Sequence, residues 1–425
     1  MNTKSTQNKN KMSYLIRLSI CLLTLSFGNY ALAQTTIISH ATIHIGDGKV
    51  IEDGVLVIEK DRLVEVGSSL KNLYKNAKAI DATGKHIYPG LIAMNNIMGL
   101  NEIDAVRATR DYQEQGAFNP NIRSQIAYHT DSKILPTAVY NGVLYTQAVP
   151  QGGVISGSSS ALKTKAWNWE DATIAKDDGI HLNWPQVSLN NSKHEEILGS
   201  AIKEIEIFFA NASQYQLQSK PVFNARFAAM KDVLSGKVNL YIHAQDAHSI
   251  VRSILFFKQN YPAISLVLVG ASDAYLLLDF LKTHQVTVVL GNIHRLPSRN
   301  AEAIDQPYIT PAQLVQAGIK VAISLEGSWE ARNLAYIAGT AAAYGLGKEE
   351  ALKAISLVPA QIMGVSKEIG SLEVGKKASL LIAEGDILDM KSSKLWKAFL
   401  DGEELDLKNE QVKLAEKYLE KYKKK

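Results

Sequence analysis

Cysteine is nearly missing from this chain: Cys21 is the sole one in 425 residues, and it sits in an apolar stretch near the N-terminus. Disulfides and thiolate metal sites are therefore excluded from everything that follows it. No two of the ten histidines are separated by a single residue, the spacing that puts two imidazoles on one face of a strand. No G-x-S-x-G elbow supports Ser-His-Asp chemistry. The run Gly152-Gly153-Val154-Ile155-Ser156-Gly157-Ser158-Ser159-Ser160 lacks the lysine spacing of a phosphate loop. It reads as a tight connection, with Trp167, Trp169 and Trp184 packing a lid or a subunit contact. A strong charge excess is absent too. The formal net charge is +4, and Lys4, Lys9, Lys11 and Arg17 precede any acidic residue.

Those four basic residues lead into an apolar stretch from Leu18 to Phe27, and Ala31-Leu32-Ala33 follows. The order is that of a secretory signal peptide cut after Ala33, so the chain is expected to be exported, periplasmic or secreted. The apolar stretch is shorter than the ~20 residues of a stable span, and none is expected after cleavage. The mature chain is close to neutral, which gives no basic face for nucleic acid.

What remains is β-rich at both ends and alternates between strand and helix in the middle. Ile37 to Ile45 alternates before the turn Gly46-Asp47-Gly48, and Val55–Ile58 and Leu63–Val66 flank a hairpin turn. Strand patterns then occupy Gly142–Gln147, Val238–His243, Ile264–Val269, Val286–Leu290 and Ile319–Leu325. Helical patterns cover Glu195–Phe209, Ala247–Lys258, Ala274–Lys282 and Thr310–Ala317. Strands return at Ala378–Ala383 and Trp396–Leu400. This predicts a parallel (β/α)8 barrel inserted into a sheet domain built from both chain ends. His40 and His44 lie roughly 13 Å apart along one strand and are expected as sheet or surface histidines. Asp246 and His248 open the helix that begins at Ala247.

Several stretches resemble the amidohydrolase superfamily, nearest its imidazolonepropionase-like branch. Ala41–Gly48, the Val55–Gly67 hairpin and Asp81–Lys85 look like the N-terminal sheet of that superfamily. Tyr88-Pro89-Gly90-Leu91-Ile92 is similar to the lead into its first barrel strand. Pro359–Gly364 and Gly370–Leu380 resemble its last helix and the return to the sheet. The resemblance implies a TIM-like (β/α)8 metal-dependent-hydrolase barrel plus a composite β-sandwich. The expected division is a signal peptide over 1–33, sandwich over 34–88 and 368–407, barrel over 89–367 and a charged, solvated helical tail over 408–425. It also implies hydrolysis of non-peptide C–N bonds of the amide or imide class by a water on zinc or another divalent metal.

The ligand positions are largely substituted. Where the resemblance expects His-x-His on the first strand stand Asn95, a weak neutral ligand, and Ile97, which is none. His243 stands at the fifth-strand ligand position, Val269 at the sixth, and Glu326 near the eighth-strand aspartate; the fourth strand shows no counterpart of the bridging lysine or glutamate. His243 is thus a metal ligand, a metal-free general base or an inherited satisfied histidine. Glu326 is its catalytic assistant or an ordinary loop carboxylate. His294, Arg295 and Arg299 follow the seventh strand and either grip an anionic substrate or form a solvated loop. No cofactor follows from the residues themselves. Two readings stay open: a hydrolase with metal-dependent activity weakened or lost, and a non-catalytic barrel that binds a small molecule or partners an active amidohydrolase paralogue. A homodimer is the superfamily habit.

Overall fold

Why the chain ends meet is clear from the strands they supply. The computed structural model describes residues 35–187 and 192–423, so the expected leader over 1–33 lies outside the described residues. The N-terminal segment forms β1 (Thr36–His44), β2 (Val50–Glu59), β3 (Arg62–Gly67), β4 (Lys78–Asp81) and β5 (His86–Pro89). The C-terminal segment returns β14 (Leu380–Ala383), β15 (Leu395–Leu400) and β16 (Glu403–Glu404) to the same sheet. The order is β16-β15-β14-β5-β1-β2-β3, with β4 also on β1. An irregularity at His40, φ +61°, shifts the alternation along β1, so that Ile38 and Ile43 both face inward and meet Leu56, Ile58, Leu63, Ile87, Leu380, Ile382 and Phe399.

Between these ends lies the second eight-stranded sheet: β6 (Leu91–Asn96), β7 (Val143–Ala148), β8 (Ile155–Lys163), β9 (Thr173–Asn183), β10 (Asn239–Ala244), β11 (Ser265–Gly270), β12 (Thr287–Leu290) and β13 (Val321–Ile323). Their spatial order follows the chain, as in a (β/α)8 barrel. Val- and Leu-rich runs such as Ser265–Gly270 are buried on both faces, as parallel strands require. Among the described residues no ladder joins β13 back to β6. The seam is closed at one end by Asn96, whose Nδ2 donates to the carbonyls of Leu325 and Gly327, and by Ile97 N–H to Glu326 O at 3.2 Å.

One strand departs from the expected parallel repeat. β8 is antiparallel to both β7 and β9. Only Gly152–Val154 of the Gly/Ser run belongs to a connection; from Ile155 the run is a barrel strand whose first eight residues are buried. Small residues are needed there because residues 117–127 lie flat against it. Asn119 N–H donates to Ile155 O at 2.9 Å and Ser158 N–H to Ile122 O at 2.7 Å. A side chain at Gly157 would bring its Cβ within 2.7 Å of Ile122 O.

The tryptophans do not gather into a lid: Trp167 is 88% exposed, whereas Trp184 is buried against Phe256 and Phe257. The tail forms a helix, Glu410–Lys423, that buries none of its side chains. No helix among the described residues is long and apolar enough to cross a membrane.

Candidate functional site

β6, β7 and β9–β13 run toward one end of the barrel, and their C-terminal residues line a cleft of two lobes. The first, about 400 Å³, includes Asn95, Gln151, Asn183, Trp184 and His243. The second, about 410 Å³, includes Leu290, Ile293, Arg295, Pro307, Leu325 and Glu330. Gln245 and Glu326 line both lobes and so stand at the neck between them. Gln245 reaches that place over Gly270, where any Cβ would meet its amide at 2.1 Å.

His243 projects into the first lobe from β10. Its Nε2 lies 2.8 Å from Nδ1 of His181 on the adjacent β9, a histidine that carries no local motif and that the sequence pattern does not single out. His181 is wholly buried and stacks on Tyr241 at 4.5 Å. Burial holds His243 down at about 4, and burial followed by the charge of His243 holds His181 well below the usual imidazole range. Both rings are therefore neutral at neutral pH, and one N–H is shared between them. Beneath them Tyr241 Oη donates to Asp178 Oδ2 at 2.7 Å, and Gln147 Nε2 donates to the same oxygen at 2.6 Å. Burial pushes the Asp178 carboxyl up, and the bonds from Tyr241, Ser159 and Gln147 bring it back only to about 6.

Asn95, the penultimate residue of β6, lies in the left-handed region, φ +48°, which asparagine tolerates better than most residues. Its backbone N–H donates to Gln147 Oε1 at 3.1 Å, and its Nδ2 donates across the mouth to Glu326 Oε1 at 3.2 Å. The first lobe thus brings together Asn95, His243 and Glu326. Ile97 and Val269 are buried among apolar neighbours.

The loop after β12 is placed differently. His294 is exposed and lies 2.7 Å from the Thr340 hydroxyl. Arg295 lines the second lobe, but its guanidinium is held by the buried Glu302 at 2.6 Å. Burial would raise Glu302, yet Arg295 and Ser298 bring it down to about 2. Arg299 is paired with Asp273 at 2.6 and 2.8 Å. Asp246 caps the helix Ala247–Asn260 by accepting from Ser249 N–H, and His248 lies in that helix's first turn. His44 is not isolated: it stacks on Tyr88 and contacts Glu349 at 2.7 Å and His86 at 3.1 Å, while His40 is an exposed partner of Asp53.

Fold and mouth together define a (β/α)8-type barrel carrying a composite sheet. The amidohydrolase family model matches residues 239–412. An amidohydrolase from Thermotoga maritima superposes with a TM-score of 0.74 at 21% identity, covering 87% of this chain and 99% of that one. The sequence is 22% identical to the 5'-deoxyadenosine deaminase of Methanobrevibacter smithii over 372 residues, 79% of this chain and 81% of that protein. It is 29% identical to the 5-methylthioadenosine/S-adenosylhomocysteine deaminase of Moorella thermoacetica over 167 residues, 35% of this chain and 38% of the relative. The amidohydrolase match thus rests on residues 239–412, and the likeness to the Thermotoga protein extends the shared fold over most of the chain.

The amidohydrolase family usually binds a divalent metal. A catalytic zinc takes three protein ligands and a water. Among the described residues no three His, Cys, Asp or Glu side chains stand close enough to share an ion. The facing nitrogens of His181 and His243 are engaged with each other, and the remaining His181 nitrogen, Nε2, is buried without a partner. Asn95 already donates to Glu326. This donor set does not fit the family's metal.

Proposed function

We propose that this chain is an exported member of the superfamily that has given up metal-dependent hydrolysis of C–N bonds and keeps its barrel mouth as a metal-free binding site for a polar small molecule. The observation that carries this reading is the way the candidate donors bond to one another: His181 to His243, and Asn95 to Glu326. A ligand set poised for a cation leaves its lone pairs free and converging. The deaminase relatives support descent from C–N chemistry, and the two-lobed cleft supports retention of a pocket.

Elemental analysis of the purified protein after exposure to zinc and manganese tests the reading. Metal well below one ion per chain is expected. A tightly held stoichiometric metal that disappears in His243→Ala, with hydrolysis of an amide or aryl amine, overturns it. Export has its own check: protein recovered outside the cytoplasm should begin at Gln34, and an intact leader there defeats the cleavage proposal.

A further inference from the structure

The charges around the mouth point to the ligand's character. Apart from the neutral His243, the ionisable side chains lining the two lobes are Arg295, Glu326 and Glu330. Arg295 is neutralised by Glu302, whose side chain has no exposed surface. Arg299, on the same loop, is likewise bound to Asp273. Glu326 differs: among the described residues no lysine or arginine pairs with it, and it is exposed at the neck of the cleft. The buried Asn95 amide holds its Oε1, so the carboxylate has a defined position. Neutral side-chain amides, among them Gln151, Asn183 and Gln245, surround it, and Leu290, Ile293, Pro307 and Leu325 give the second lobe an apolar wall.

We infer that the cleft takes a small organic cation, an amidinium, guanidinium or ammonium group on a compact apolar body, with the charged group on Glu326 and the body in the second lobe. An anion would meet two carboxylates and no free cation there. Charge-assisted bonds to a carboxylate are roughly twice as strong as neutral ones, and a planar amidinium can offer Glu326 two parallel N–H groups. The inference rests on the metal-free reading of the mouth proposed above.

Benzamidine, benzamide and benzoate share one shape and differ in charge. Their affinities for the full mature protein can be ranked by ligand-observed NMR at neutral pH, on a preparation whose metal content is measured in parallel. Benzamidine should bind about tenfold more tightly than benzamide, and benzoate should bind most weakly. Glu326→Gln, which keeps an oxygen for Asn95, should erase the benzamidine advantage and leave benzamide unchanged, with an unaltered melting temperature. Preference for benzoate, equal binding of all three, no binding at millimolar probe, or an unchanged ranking in Glu326→Gln overturns the inference. Stoichiometric metal in the same preparation instead removes the reading beneath it, so the two failures are told apart.

Discussion

At 2.8 Å, one nitrogen of the His181–His243 pair must donate and the other accept, and protonating both rings would set two adjacent positive charges against each other. Both imidazoles are held below their usual range by burial, so the unfolded chain takes up protons that the folded chain refuses. Their contribution to stability is complete above the ordinary imidazole pKa of 6.5 and is lost as pH falls toward about 4. Asp178 has the opposite sign. Its folded pKa is raised from 3.8 to about 6, so its contribution is complete below 3.8 and lost as pH rises through about 6. The two slopes oppose each other over the same interval. Melting temperature against pH should therefore steepen on the acid side in Asp178→Asn and flatten in His243→Gln, the histidine part being about 1–3 kcal/mol. Parallel curves for all three proteins would refute this assignment of charges.

Strands that bury both faces with branched aliphatic side chains are readable from sequence, because their composition states their environment. β11 and β12 are of that kind. β8 is not: glycine and serine are poor in β-propensity, and only the tight cover from residues 117–127 makes them fit. β9 is hidden for a related reason, since its first half, Thr173–Asp177, carries polar residues and only Asp178–Leu182 is buried. His181 went unread with it. Its partner is 62 residues away, and nothing local marks the pairing. His243 was legible because the strand that carries it was. Gly157→Ala tests the explanation of β8. At φ +144° and 2.7 Å from Ile122 O, the added methyl must push residues 117–127 away. A loss of about 1–3 kcal/mol is expected in thermal or urea unfolding. A variant as stable as the parent would mean that small residues are not required on this strand.

The whole molecule depends on the C-terminal return. β14 lies inside the first sheet, between β15 and β5, and its side chains alternate between two cores. Leu380 and Ile382 join the sheet core, whereas Leu381 and Ala383 join the barrel core. Alternation with period two means that one short strand welds the two bodies, and its loss opens both at once. The tail beyond it is different in kind. Asn409 is buried and caps the tail helix by accepting from Val412 N–H, but the helix itself buries none of its side chains; the Thr137 hydroxyl of the barrel donates to Gln411 Oε1 at 2.9 Å. A chain ending after Asn409 should therefore fold and melt within a few degrees of the full protein, since a part-exposed hydrogen bond of this kind contributes only about 0.5–1.5 kcal/mol. A chain ending after Gly375 should be insoluble, because it leaves β5 as a bare edge and opens apolar surface in both cores. Solubility and melting of the two truncations give the answer directly. If the Gly375 truncation folded with the barrel's usual melting temperature, the composite sheet would be an ornament on an independent barrel, and the coupling through β14 would be disproved.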